Sequence, residues 1–234
     1  MLRILKVLPA ILLSLVTFWA HASVIEYVGE AKHQDTGELL YRESHQLIMK
    51  DGQPLQRRVL YTDAQGQQFA RKDNQYGDDP VTPDFTLDDE RLPYQESVSR
   101  DGQRWRVNYR EPGEKDKSTL KKPDYRPVID AGFDEFVREQ WPKLINGKSV
   151  SFSFAVASRL EWIDFRLIPL SQKDGVLEVE MRLKSRLLSW LLDPVRLSYE
   201  ISSQRLLRYR GLTNIRAADG EGIRADIRYI YPQE

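Results

Sequence analysis

Cysteine is absent from all 234 residues. Disulfides, thiolate metal sites and the lipid-modified cysteine of a bacterial lipoprotein are thereby excluded. A chain of this size without cross-links must be held by its core alone. Net charge is absent too, with 35 basic and 35 acidic residues. Non-specific nucleic-acid binding needs a basic excess, so no nucleic-acid partner is expected. Histidine is scarce: His21, His33 and His45 are the three. Glu43 and His45 share a strand face two residues apart. A zinc site takes three or four ligands, and no third is evident, so an exposed pair and no metal are expected.

Catalytic motifs are missing as well. No G-x-S-x-G occurs for a nucleophile elbow. "GKS" (Gly147–Ser149) resembles part of a phosphate loop, but the first glycine of that motif falls on Pro142 and a strand follows. The expectation is a non-enzyme without a cofactor. A hydrolase whose carboxylates meet only in space is the remaining catalytic reading. Long apolar runs are missing with one exception, Val7–Trp19. No later stretch reaches the roughly 20 residues that span a bilayer.

That one run has a meaning. Arg3 and Lys6 precede it, no acid does, and Ala20-His21-Ala22 follows with small residues at the two positions a signal peptidase reads. Residues 1–22 are therefore expected to be a signal peptide cleaved after Ala22, with no transmembrane anchor left behind and a periplasmic destination. Without Arg3 and Lys6 the 35 basic residues fall to 33 against 35 acidic, a mature charge of about −2. Residues 23–234 suit one domain.

Turn signals punctuate that domain: Thr36-Gly37, Asp51-Gly52, Gln65-Gly66, Asp101-Gly102, Asn146-Gly147, Asp174-Gly175 and Asp219-Gly220. Asp-Gly and Asn-Gly favour hairpin turns. The segments between them alternate. Leu177, Val179, Met181 and Leu183 oppose Glu178, Glu180, Arg182 and Lys184. Val150, Phe152, Phe154 and Val156 oppose only Ser and Ala. Ile223, Ala225, Ile227, Tyr229 and Tyr231 oppose Arg224, Asp226 and Arg228. Such alternation means a sheet with one dry and one wet face. Strands are expected over 24–33, 38–50, 54–63, 67–73, 94–100, 103–110, 148–157, 160–170, 176–184, 186–192, 195–202, 205–213 and 223–231. Two Pro-bearing charged segments, 76–93 and 111–127, read as long loops, the second a mobile crossover between two sheet halves.

One segment reads as a helix. Phe133, Phe136, Val137, Trp141 and Leu144 form a single stripe, with Asp130 as N-cap and Asp134 and Glu135 in the first turn. So short a helix is stable only against an apolar surface. Burying four such side chains contributes roughly 6–12 kcal/mol gross. The predicted fold is mainly β with one central helix, a curved antiparallel meander sheet forming a half-barrel around an aromatic-striped helix. The hollow is either filled or leaves a pocket lined by Phe133, Phe136, Val137, Trp141, Phe152, Phe154, Phe165, Trp190 and Tyr199.

Three further features stay open at this point. The loop acids Asp78, Asp79, Asp84, Asp88, Asp89 and Glu90 form an oxygen-rich run, but match no calcium-loop spacing. Arg205, Arg208, Arg210, Arg216, Arg224 and Arg228 could hold phosphates or an anionic partner, although the wet face of a sheet explains them. "GEAKHQDTGELLYRESH" (Gly29–His45), "VLYTDAQGQQFARKDNQY" (Val59–Tyr76) and "LLRYRGLTNI" (Leu206–Ile215) resemble signature stretches of an uncharacterised family of secreted proteobacterial proteins. The C-terminal half resembles periplasmic domains of unknown function that share a W-x-x-D-P turn, here Trp190–Pro194. The architecture is similar to the half-barrels of periplasmic lipoprotein carriers. That resemblance implies a lipid-sized hollow, and hence a lipid or other apolar ligand. The competing expectation is an envelope interaction module with a filled core and a protein partner.

Overall fold

A computed structural model describes residues 22–185, 193–217 and 219–232. Fifteen strands form one sheet among these residues. The N-terminal eight are β1 (Ala22–His33), β2 (Leu39–Lys50), β3 (Gln53–Thr62), β4 (Gln68–Gln75), β5 (Asp84–Asp89), β6 (Tyr94–Asp101), β7 (Arg104–Glu111) and β8 (Glu114–Leu120). A short β9 (Arg126–Val128) leads into the helix α1 (Gly132–Leu144). Then follow β10 (Val150–Val156), β11 (Glu161–Lys173), β12 (Val176–Leu183), β13 (Val195–Glu200), β14 (Leu206–Arg216) and β15 (Gly222–Ile230). The spatial order runs β8 to β1, then β15 down to β9. Every neighbouring pair is antiparallel except β9 with β10. The expected strand 186–192 lies outside the described residues.

Local chemistry sets the register. At Asp51-Gly52 both residues have positive φ, 51° and 76°, and Asp174-Gly175 repeats this at 51° and 77°. Two successive left-handed residues give the primed turn that matches strand twist. These turns fix Lys50 opposite Gln53 and Lys173 opposite Val176. Asn146-Gly147 does something else: it ends the helix. Gly147 N–H donates to Leu144 O at 2.9 Å and Lys148 N–H to Lys143 O at 2.9 Å, which satisfies carbonyls left over at the helix end.

The two segments expected as loops carry strands. β5 lies inside 76–93, β8 lies inside 111–127, and β9 begins at the end of that segment. Asp130 is not the N-cap: it has φ of 38°, and Ala131 precedes the helix without a side-chain cap bond. The Asp130 carboxylate instead turns inward, accepting from Lys72 Nζ at 3.1 Å and Asn74 Nδ2 at 2.9 Å.

The helix lies in the hollow of the sheet. Phe136, Val137, Trp141 and Leu144 are buried against Phe152, Phe165, Leu167, Leu177, Val179, Leu197 and Tyr199 of β10–β13. Its start fits under residue 81: a Cβ on Gly132 would stand 2.2 Å from Val81 O. A second cluster fills the other half. Tyr41, Val59, Tyr61, Leu87, Val98, Val107 and Ile227, among others, pack on the inward faces of β2–β7 and β15.

No ladder joins β8 to β9, so the barrel is not closed by hydrogen bonds. Its two ends overlap instead. Ala155 and Trp162 are register partners on the face of β10–β11 away from the helix. They pack with Trp105, Val107 and Leu120 of β7–β8. The Trp105 and Trp162 rings meet edge to face at 5.2 Å, and Trp162 Nε1 donates to Lys121 O at 2.8 Å.

Candidate functional site

The aromatic residues expected to line a pocket do converge. Phe136 and Phe152 have ring centroids 4.9 Å apart, Phe133 and Phe152 5.6 Å, Phe152 and Phe165 5.9 Å, and Phe154 and Phe165 6.4 Å. Trp141 meets Tyr199 at 6.2 Å, and Val137 is fully buried beside them. Trp190 lies outside the described residues. These side chains occupy one another's space, and neither concavity described below is lined by any of them.

Between the two apolar clusters runs a belt of inward-facing charges that the sequence reading missed. Arg57 Nη1 of β3 donates to Asp134 Oδ2 of α1 at 2.7 Å, with side chains 6% and 14% exposed. Lys72 of β4 pairs with Asp130. On β2, His45 Nε2 and Glu43 Oε2 are 2.8 Å apart, 8% and 7% exposed. This pair was expected at the surface; it faces inward because it shares the phase of the buried Tyr41 and Leu47. The His45 ring stacks on Tyr27 at 4.3 Å.

Burial and pairing shift these groups in opposite senses. Burial pushes the His45 imidazole below its usual value, against the pull of Glu43. Burial alone would raise the Asp134 carboxyl, but Arg57 and Arg138 overcome it and hold it below the usual range. Burial would lower the Lys72 ammonium, but Asp130 and Glu43 raise it. Burial pushes the Tyr27 hydroxyl up to about 12. The belt is thus a set of charges stabilised by one another. Tyr41 OH, His45 Nδ1, Arg57 Nε, Asn74 Oδ1 and Tyr76 OH are buried without a hydrogen-bond partner. That spare capacity is polar, and an acyl chain cannot use it.

The loop acids do not gather. Asp79 takes Arg126 bidentately, both bonds 2.7 Å. Asp84 accepts from Arg100 N–H, Asp88 from Gln95, and Asp89 from Arg91. Among the described residues no three potential metal ligands converge. The C-terminal arginines are largely engaged: Arg208 with Asp226, Arg216 with Glu111, Arg224 with Asp193, and Arg205 over the Tyr231 ring at 5.2 Å.

Two concavities lie along the sheet, and the larger also touches the inward-facing Tyr27 and His45. The larger, about 670 Å³, crosses β15, β1, β2 and β3. Its floor includes Val28, Ser44, Leu60 and Ile230, which are register neighbours in one outward row. Val28 is 38% and Ile230 56% exposed. The smaller, about 380 Å³, lies on β6–β8 and includes Arg110, Lys115 and Lys117 against a single acid, Asp116. Sequence reading missed it by treating 111–127 as mobile. The signal was present: Pro112-Gly113 follows a strand, and Lys115, Lys117 and Thr119 then alternate with Asp116, Ser118 and Leu120.

These features define a mainly antiparallel, β-barrel-like protein with a helix in the hollow of its sheet and ion pairs in its interior. No known family profile matches the chain. No curated protein matches it either. Among solved structures it is similar to a β-barrel-like protein of the domain of unknown function DUF1849 from Brucella abortus, at 8% identity and a TM-score of 0.45, over 92% of this chain and 98% of that one.

Proposed function

We propose that this is a non-enzymatic periplasmic protein that serves as an envelope interaction module, a filled β-barrel scaffold that docks a protein partner on its outer face. The carrying observation is the interior. The residues suited to grip an apolar ligand are packed against one another, and the remaining space is crossed by Arg57–Asp134 and Lys72–Asp130. A carrier of a lipid or other apolar ligand gains about 0.8 kcal/mol per methylene buried. It would first have to separate that packing or those pairs. Two concavities that need no such opening are carried largely by outward-facing residues of β15–β3 and of β6–β8.

The test is native mass spectrometry of the protein taken gently from the periplasm, together with crosslinking in cells. The expected result is a ligand-free mass and a stoichiometric protein partner crosslinked to outer-face positions. One retained lipid per chain, with uptake of a fluorescent fatty acid, would restore the carrier reading and overturn this one.

A further inference from the structure

The outer edge of β8 is one of the two unpaired edges of the sheet, the other being that of β9. Glu111 and Glu114 flank the two-residue turn Pro112-Gly113 and are register partners. A turn this short makes its flanking residues a hydrogen-bonded pair. By alternation Glu114, Asp116, Ser118 and Leu120 bond to β7. Lys115, Lys117 and Thr119 therefore point their N–H and C=O groups away from the sheet. The Lys117 N–H confirms the direction: it is taken by the neighbouring Asp116 carboxylate at 2.7 Å rather than by a strand. Lys115, Lys117 and Thr119 are exposed, whereas Leu120 is buried in the overlap of the barrel's ends.

Two of them, Lys115 and Lys117, also line the smaller concavity. Lys115 sits opposite Arg110, and Lys117 opposite Asn108. Arg110, Lys115 and Lys117 form no ion pair among the described residues, in contrast to most inward-facing charges. Lysine on an edge strand is a common guard against aggregation. A guard does not require Arg110, which stands one strand in from the edge and still converges on the same hollow.

We infer that the β8 edge is a docking site for an extended acidic peptide segment of a protein partner, added as a further antiparallel strand. Its main chain would pair with Lys115, Lys117 and Thr119. Its alternate carboxylates would meet Lys117, Lys115 and Arg110. An incoming carbonyl displaces the Asp116 carboxylate from the Lys117 N–H. A phosphate or a membrane headgroup would use the cations but leave the strand edge unpaired, so the free main chain selects a peptide. The inference rests on the reading of the protein as a docking module and names the kind of partner.

The test uses the exported protein and a fluorescein-labelled probe peptide alternating Glu with Val, with a Lys-for-Glu counterpart. Anisotropy should show binding of the acidic probe alone, weakening as salt rises. Hydrogen exchange should slow at Lys115, Lys117 and Thr119. The double variant Lys115→Glu/Lys117→Glu should weaken binding at least tenfold at an unchanged melting temperature. Thr119→Pro, which removes an outward N–H, should weaken the peptide and leave any binding to phosphatidylglycerol vesicles unaltered. Absence of probe binding overturns the inference, as does vesicle binding of equal strength without exchange protection. A crosslinked partner that maps elsewhere sinks this inference and leaves the docking reading standing. A stoichiometric internal lipid sinks the docking reading, whatever the probe does.

Discussion

Removing one member of the Arg57–Asp134 pair tests the interior most directly. The two side chains are 6% and 14% exposed and meet at 2.7 Å between β3 and α1. Losing one partner of a buried pair strands the other charge, at a cost of about 3–5 kcal/mol. That is a large part of the 5–15 kcal/mol that holds a typical domain together. Asp134→Asn and Arg57→Met should each lose about that much in urea unfolding followed by tryptophan fluorescence. Replacing both, as Arg57→Met/Asp134→Leu, removes the stranded charge. The double variant should therefore lose less than either single one. Acid offers a second reading of the same pair. Asp134 titrates below its unfolded value because Arg57 and Arg138 outweigh its burial. Its contribution is complete above the ordinary carboxylate range and is lost as pH falls through the lowered value. Wild type should thus destabilise steeply in acid, and Asp134→Asn should flatten that slope. Single variants costing under about 1 kcal/mol, or losses that simply add, would refute a coupled, water-poor belt.

His45 is buried neutral, so an unfolded chain takes up its proton first as pH falls. Stability should be complete above about pH 6.5 and decline below it by up to ~1.4 kcal/mol per pH unit. His45→Gln should remove that part of the slope, and coincident pH profiles would disprove it. Gly132→Ala places a Cβ 2.2 Å from Val81 O. It should cost about 2 kcal/mol, or roughly 4–8 °C in Tm, and a calorimetric midpoint unchanged within a degree would contradict the close approach. Trp162→Phe deletes the bond to Lys121 O. It should cost about 1 kcal/mol and speed amide exchange in β8 but not in β12 or β13; uniform acceleration would show that the overlap is not a local fastening.

Period two made the dry faces of β10, β12 and β15 legible, because apolar residues sit in one phase and polar ones in the other. The aromatic stripe placed α1 in the hollow for a similar reason. Composition hid β5 and β8. Phe85 and Leu87 alternate inward, but Asp84, Asp88 and Asp89 surround them and suggested a loop. The belt was illegible for a different reason. Glu43, His45, Arg57 and Lys72 stand in the inward phase of strands whose outward phase is equally polar. Only the register of β2, β3 and β4 with the helix reveals that their partners are inside. Asp130 shows the limit of local rules: a good capping residue was drawn away by Lys72 and Asn74, more than fifty residues earlier in the chain.

The two ends of the sheet are not equivalent, and the difference limits how molecules can associate. β9 has three residues and pairs in parallel with β10. Its Arg126 is held by Asp79 and Glu139, so that end is short and pinned. β8 has seven residues and an exposed stretch. Two copies joined antiparallel through β8 would bring Lys115 and Lys117 of one against those of the other. Like charges across a strand pair are destabilising, so charge opposes a β8-to-β8 pairing of two copies. A partner strand bearing carboxylates meets no such repulsion. The positive charge that suits the β8 edge to the acidic strand inferred above therefore also opposes a second copy there, and the short, pinned β9 offers no equivalent edge.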